Sequence, residues 1–288
     1  MKLAIQDLSA RHPAARAGAP DALTEASIAI AAGEQVAIIG PSGAGKTTLL
    51  HVLACALLPS AGRVTIEDKN PWQLSRPDLQ LLRGHLYLAP QVPPLPPRQR
   101  VVTSVLAGSL PAMGFWHSLR SLFYPQNIAG AHAALAQFDL SEKLFDRVDR
   151  LSGGERQRVG LARALVSPAT LWLIDEPLSA LDPTRAKQVM DTLIDQARAR
   201  NVTLVMTLHQ VEVALARFDR IIGLRDGAVM FDCDVKEVTP ERLRQLYAQH
   251  EDELTGAAPN DKPADGPANG PTDGTSNGQP NPPLMHCR

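Results

Sequence analysis

Residues 35–50 read QVAIIGPSGAGKTTLL, and the way this stretch divides decides the fold. QVAIIG has the length and apolar content of a buried strand, PSGAG is too rich in glycine to continue it, and the residues from about Lys46 onward suit a helix. Gly40, Gly45, Lys46 and Thr47 satisfy the spacing G-x-x-x-x-G-K-[ST] between that strand and that helix. Glycines there let backbone amides close around phosphate, and the helix adds the positive end of its dipole. The pattern predicts that Gly40, Pro41, Ser42, Gly43, Ala44, Gly45, Lys46, Thr47 and Thr48 cradle a nucleotide such as ATP, with Lys46 on the β- and γ-phosphates and the Thr47 hydroxyl on Mg²⁺. The plainer alternative is a glycine turn with no ligand, and the loop by itself suits kinases, GTPases and many ATPases equally.

Working outward, GRVTIED (62–68), TLWLID (170–175), VTLVMTL (202–208) and RIIGLRDG (220–227) read as further strands, and 101–110, 129–138 and 141–145 as helical. APQVPPLPP (89–97) interrupts them, because its prolines remove backbone donors and exclude both helix and central strand. The organisation predicted is an α/β core over residues 1–250 with a mostly helical insert at about 92–158. Residues 251–288 carry almost no large apolar side chains and are expected to form a disordered tail.

The 288 residues are 44% apolar, enough for a proper core, and their formal net charge of −1 supplies no basic field of the kind that nucleic acid requires. Three scattered cysteines form neither a disulfide framework nor a zinc knuckle, so they read as free thiols. No apolar run approaches the roughly 20 residues of a membrane span, so any membrane role must come through a partner.

In LWLIDEP (171–177) an apolar strand delivers Asp175 and Glu176 to its end, where open α/β sheets place their ligands. Asp175 would hold Mg²⁺ and Glu176 would polarise an attacking water; two carboxylates capping a following helix are the alternative. Upstream, LSGGERQR (151–158) sets Ser152, Gly153 and Gly154 ahead of a helix whose apolar positions Val159, Ala162, Leu165 and Val166 keep helical spacing. Taken with the loop and the acid pair, this string resembles the signature motif of the ABC transporter ATPases, against the alternative of a serine-glycine cap with no ligand.

That resemblance implies a RecA-like P-loop NTPase core with an antiparallel β subdomain and a helical subdomain. It also implies that Ser152, Gly153 and Gly154 bind the γ-phosphate of ATP held by a second subunit. Gln91, following HLYLA, then matches the glutamine that touches Mg²⁺ and water. Asp182 in SALD (179–182) matches an aspartate working across the dimer interface, and His209 matches the histidine that contacts the γ-phosphate and Glu176. Alone, each of these three residues is as well explained by packing or exposure. His12, in LSARHP (8–13), stands where the family usually has an aromatic residue stacking on adenine, and a loop histidine facing water is its alternative.

Within the family the resemblance, covering about residues 2–247, is nearest to the phosphonate importer ATPases. It rests on GSLPAMGFWHSLRSLF (108–123) and LHQVEVALARFDRIIGLRDGAVMFD (208–232). Phe115, Trp116, Leu119, Leu122 and Phe123 in the first stretch are either the insert's own core or a surface that docks a membrane subunit. Four prolines after Gln91 (Pro93, Pro94, Pro96 and Pro97) depart from the family's usual flexible segment. The partners implied are a second copy, integral membrane permease subunits and a periplasmic or extracellular solute-binding protein, with the chain on the cytoplasmic face of the inner membrane. Other readings kept open are an exporter or lipoprotein-extraction ATPase, a soluble relative acting on nucleic acid or ribosomes, and a small-molecule kinase, which leaves LSGGERQR unexplained.

Overall fold

The computed structural model describes residues 1–248 apart from Pro13, Ala17 and Pro125 and the side chains of Leu122 and Phe123; the tail expected over 251–288 lies outside the described residues. In chain order come strands β1 (Leu3–Ala10), β2 (Leu23–Ile30) and β3 (Gln35–Ile39), helix α1 (Lys46–Leu53), strand β4 (Ala61–Ile66), helix α2 (Arg76–Gly84) and strand β5 (Leu86–Ala89). Four helices follow, α3 (Val101–Leu106), α4 (Phe115–Phe123), α5 (Ile128–Ala136) and α6 (Gly153–Val166). The rest alternates: β6 (Leu171–Asp175), α7 (Pro183–Ala199), β7 (Thr203–Thr207), α8 (Val211–Arg217), β8 (Arg220–Arg225), β9 (Ala228–Asp234) and α9 (Pro240–Leu246).

The strands form two sheets, an antiparallel one in the order β2-β1-β4 and a six-stranded one in the order β5-β6-β7-β3-β8-β9. The second is parallel except for β9, which returns antiparallel through a turn whose Asp226 and Gly227 both have positive φ (49° and 80°). Its central strands are apolar without alternation because both faces are covered. Along β3, Val36 and Ile38 enter a core shared with α1 and the antiparallel sheet, while Ala37 and Ile39 enter a second core shared with α6, α7 and the helical insert. Trp172 and Ile174 on β6 repeat the division opposite Leu171 and Leu173. In β1 the buried positions slip from Leu3 and Ile5 to Leu8 and Ala10 across a bulge at Asp7 (φ 47°).

Several boundaries differ from the sequence expectation. The helix expected over 101–110 ends at Leu106 and continues as a 3₁₀ turn over Ala107–Ala112, because Gly108 lies against α6: a Cβ there would stand 2.3 Å from the Arg163 carbonyl oxygen. Ser141–Lys143 is a single 3₁₀ turn instead of a helix reaching 145, and Ala89 completes β5 instead of opening the proline segment. Phe115 and Trp116 are 73% and 77% exposed and pack edge to face on each other, so they are surface and not the insert's core.

Candidate functional site

The parallel strands β3, β6 and β7 all end on one side of the sheet, and the residues singled out in the sequence cluster there. After β3 the chain turns through the glycine loop into α1. Gly45 caps that helix at φ 100°, and a Cβ on it would lie 2.4 Å from the Ala22 carbonyl oxygen, so a side chain is excluded on two grounds. Lys46 is buried, and its Nζ donates to the Gly40 and Pro41 carbonyls at 2.7 and 3.1 Å, holding the ammonium inside the curl of the loop.

The acid pair is fastened from both neighbouring strands. Asp175, also buried, accepts from the Thr47 hydroxyl through Oδ2 at 2.8 Å and from the Thr207 hydroxyl through Oδ1 at 2.6 Å. Glu176 follows at φ 45°, an uncommon conformation for a residue with a Cβ, and its N–H donates to Thr207 Oγ1 at 3.1 Å. That bend turns its carboxylate out of the strand. Gln91 Nε2 then reaches Oε2 at 2.8 Å and His209 Nε2 reaches Oε1 at 2.6 Å, so the carboxylate is held from two sides. Neither carboxylate caps a helix; that task before α7 falls to Asp182, which accepts from the Arg185 N–H at 3.1 Å and pairs with the Arg185 guanidinium at 3.2 Å.

A cavity of about 540 Å³ opens over this arrangement, lined by the loop from Ser42 to Thr48 together with His12, Ala22, Gln91, Glu176 and His209. His12 sits on its wall in an exposed loop, where its Nδ1 accepts from the Ala14 N–H at 3.1 Å. Ser152, Gly153, Gly154 and Asp182 are not among the lining residues. Ser152 caps α6 by accepting from the Glu155 N–H at 3.2 Å, while its own N–H donates to the Glu155 carboxylate at 2.8 Å. A Cβ on Gly154 would stand 2.9 Å from the Ala180 carbonyl oxygen, which brings the LSGG and SALD segments together outside that cavity.

Comparison with known proteins identifies the family. The family described as ABC transporter matches residues 23–179. A phosphonates import ATP-binding protein of Albidiferax ferrireducens is 64% identical over 100% of both chains, and one of Polaromonas sp. is 67% identical over 90% of this chain and 93% of its own. The chain belongs to the ABC transporter family. Among solved structures, the ATP-binding cassette MJ0796 in a dimeric post-hydrolysis state bound to ADP and Pi superposes with a TM-score of 0.67 at 26% identity, covering 82% of this chain and 100% of that one.

Besides Ala22, which lines the cavity, two residues of this ABC cassette that hold the site together were not singled out in the sequence. Thr207 bridges Asp175 and Glu176; its signal was a polar residue near the end of the apolar strand VTLVMTL, fully buried in the fold. Tyr247 accepts from the Gly40 N–H at 3.1 Å and sits one residue beyond α9, where the sequence carries no motif. On the flank of the cassette, the proline segment after Gln91 packs on α6, with Pro93 close against Gly160 and Leu95 on the core. A groove of about 600 Å³ runs between this segment, including Val92 and Leu95, and the start of α6 at Gly153 and Arg156.

Proposed function

We propose that this chain binds ATP with Mg²⁺ and hydrolyses it as the motor subunit of an importer for phosphonate or a related phosphorus oxyanion. The observation that carries the reading is the division of the motif residues. Gln91, Glu176 and His209 converge with the glycine loop on one cavity, while Ser152–Gly154 and Asp182 stand outside it. A site divided in this way is completed by a second copy set head to tail, whose LSGG segment closes over the γ-phosphate. The solute class is supported by the names of the two bacterial relatives, which favour import over export.

Lys46 exchanges the Gly40 and Pro41 carbonyls for the β- and γ-phosphates, and the amides of the loop take the remaining phosphate oxygens. The donor set beside it suits a hard divalent cation: Thr47 Oγ1 and Asp175 Oδ2, oxygen donors 2.8 Å apart, would hold it directly or through its water shell, with the Gln91 amide oxygen, the nucleotide and water completing the set. When bound, Mg²⁺ neutralises charge on the β- and γ-phosphate oxygens. Glu176 orients a water and accepts its proton as the water oxygen bonds to the γ-phosphorus and the bond to the β–γ bridging oxygen breaks, leaving ADP and phosphate. Gln91 and His209 fix the Glu176 carboxylate for this task. His12, on the cavity wall, stacks on the adenine.

No helix among the described residues is long and apolar enough to cross a membrane. Attachment to the cytoplasmic face of the inner membrane is through permease subunits, with the proline segment after Gln91 and the exposed Phe115–Trp116 face of α4 as the contacts. A periplasmic or extracellular binding protein delivers the solute. Because ATP makes its full set of contacts only in the closed dimer, it shifts the equilibrium towards closure. The test is Glu176→Gln, expected to keep ATP binding, lose hydrolysis and accumulate dimer by light scattering. Undiminished phosphate release with no dimer refutes the assignment.

A further inference from the structure

Gly40, the first residue of the glycine loop, is fixed at every backbone group that could swing. At φ 152° it lies so close to β8 that a Cβ would stand 1.9 Å from the Leu224 carbonyl oxygen. Its carbonyl accepts from Lys46 Nζ at 2.7 Å. Its N–H donates to the hydroxyl of Tyr247, 207 residues along the chain and 1% exposed. Tyr247 is carried by α9, which is docked on the core by fully buried Leu246 and tied to β8 by the Arg225 guanidinium donating to the Gln245 carbonyl at 2.6 Å.

We infer that Tyr247 is a positioning residue of the nucleotide site: its hydroxyl holds the hinge of the phosphate loop, so the docking of α9 sets ATP affinity. The inference rests on the reading of Gly40–Thr48 as the ATP cradle. A phenylalanine fills the same volume but offers no acceptor, which leaves a buried N–H unsatisfied at the point where the loop departs from β3. The loop then samples orientations that do not present its amides to phosphate, and binding must recover that order.

Three variants of the full chain test this by calorimetric titration with ATP in the presence of Mg²⁺. Tyr247→Phe is expected to weaken binding roughly tenfold, the size of one buried hydrogen bond left unmade. Hydrogen exchange in peptides spanning residues 38–46 should quicken alongside. Val64→Ala is buried in the antiparallel sheet, outside the residues that line the cavity, and lowers stability without weakening binding. Unchanged affinity and exchange in Tyr247→Phe overturn the inference, and so does an equal loss in Val64→Ala, since both variants would then act through stability alone. Lys46→Ala tests the underlying reading separately: retained ATP affinity there removes the cradle and this inference with it, whereas its loss beside an intact Tyr247→Phe removes only the role of Tyr247.

Discussion

The two halves of the proposed nucleotide machinery are built in opposite ways. The glycine loop and acid pair are joined by contacts between residues far apart in the chain: Thr47 to Asp175, Gln91 to Glu176, Thr207 to Asp175, Gly40 to Tyr247. The LSGG and SALD segments are each held by their own helix, through caps that reach only three residues onward, Ser152 to Glu155 and Asp182 to Arg185. The first half therefore exists only when the whole sheet is assembled, which concentrates several buried polar groups at one place and demands that each be satisfied. The second half rests mainly on such local caps, with the approach of Gly154 to the Ala180 carbonyl as the contact between its two segments.

The largest effect belongs to the half with long-range ties. Gly45→Ala forces a side chain into a left-handed position and against the Ala22 carbonyl, so the loop must shift. A strain of about 1–3 kcal/mol or more is expected, with loss of measurable ATP binding by the isolated subunit. Calorimetry checks it, and wild-type affinity in a folded variant would mean that the loop does not need its observed curl.

Ser152→Ala should act differently. Loss of the cap costs about 0.5–2 kcal/mol of stability, leaves ATP binding by the single subunit intact and removes hydrolysis by the assembled pair. The contrast sharpens when this variant is mixed with Glu176→Gln before ATP is added. In a head-to-tail dimer each mixed pair carries one site with both defects and one with neither, so a 1:1 mixture of two inactive proteins recovers roughly a quarter of the wild-type rate. If each subunit served only itself, mixing would recover nothing.

The same contrast explains how much was legible in the sequence. Features set by neighbours in the chain could be read directly: the strand-loop-helix around Lys46, the apolar runs of β6 and β7, and the helix start at Ser152. The contact of His209 with Glu176 could not be derived from spacing and entered only through resemblance to a family, and the bond from Gln91 to the same carboxylate was not anticipated at all, because sequence does not say which strand ends become neighbours. Of the antiparallel strands β4 was read within GRVTIED, whereas β1 was blurred for a local reason. The bulge at Asp7 breaks the alternation of β1, so Leu3 and Ile5 and then Leu8 and Ala10 face inward out of step. Tyr247 was invisible because an aromatic residue at the edge of a polar tail carries no periodic signal, and its role depends on Gly40 being adjacent only in the fold.

The smallest effect concerns the charge on Glu155, and it isolates the local character of the LSGG half. Its carboxylate accepts from the Ser152 N–H, which is the main reason its pKa lies below the ordinary value; Lys143 and Arg158 add to the effect against a partial cost of burial. A group whose pKa is lowered by folding stabilises the folded state above its unfolded pKa, and that contribution disappears as pH falls through the folded value. Glu155→Gln keeps the capping-box acceptor and removes only the charge. Because the side chain is only partly buried and its charge is still screened by solvent, a few tenths of a kcal/mol is expected at neutral pH, about 1 °C in melting temperature. The gap should close as the pH is taken down through and below the carboxylate range, with no change in ATP affinity at any pH where both proteins are folded. A gap that stays constant with pH would show that the substituted amide has lost the hydrogen bond and not merely the charge. A change in affinity would mean that the LSGG cap communicates with the glycine loop of its own subunit, against the separation of the two halves.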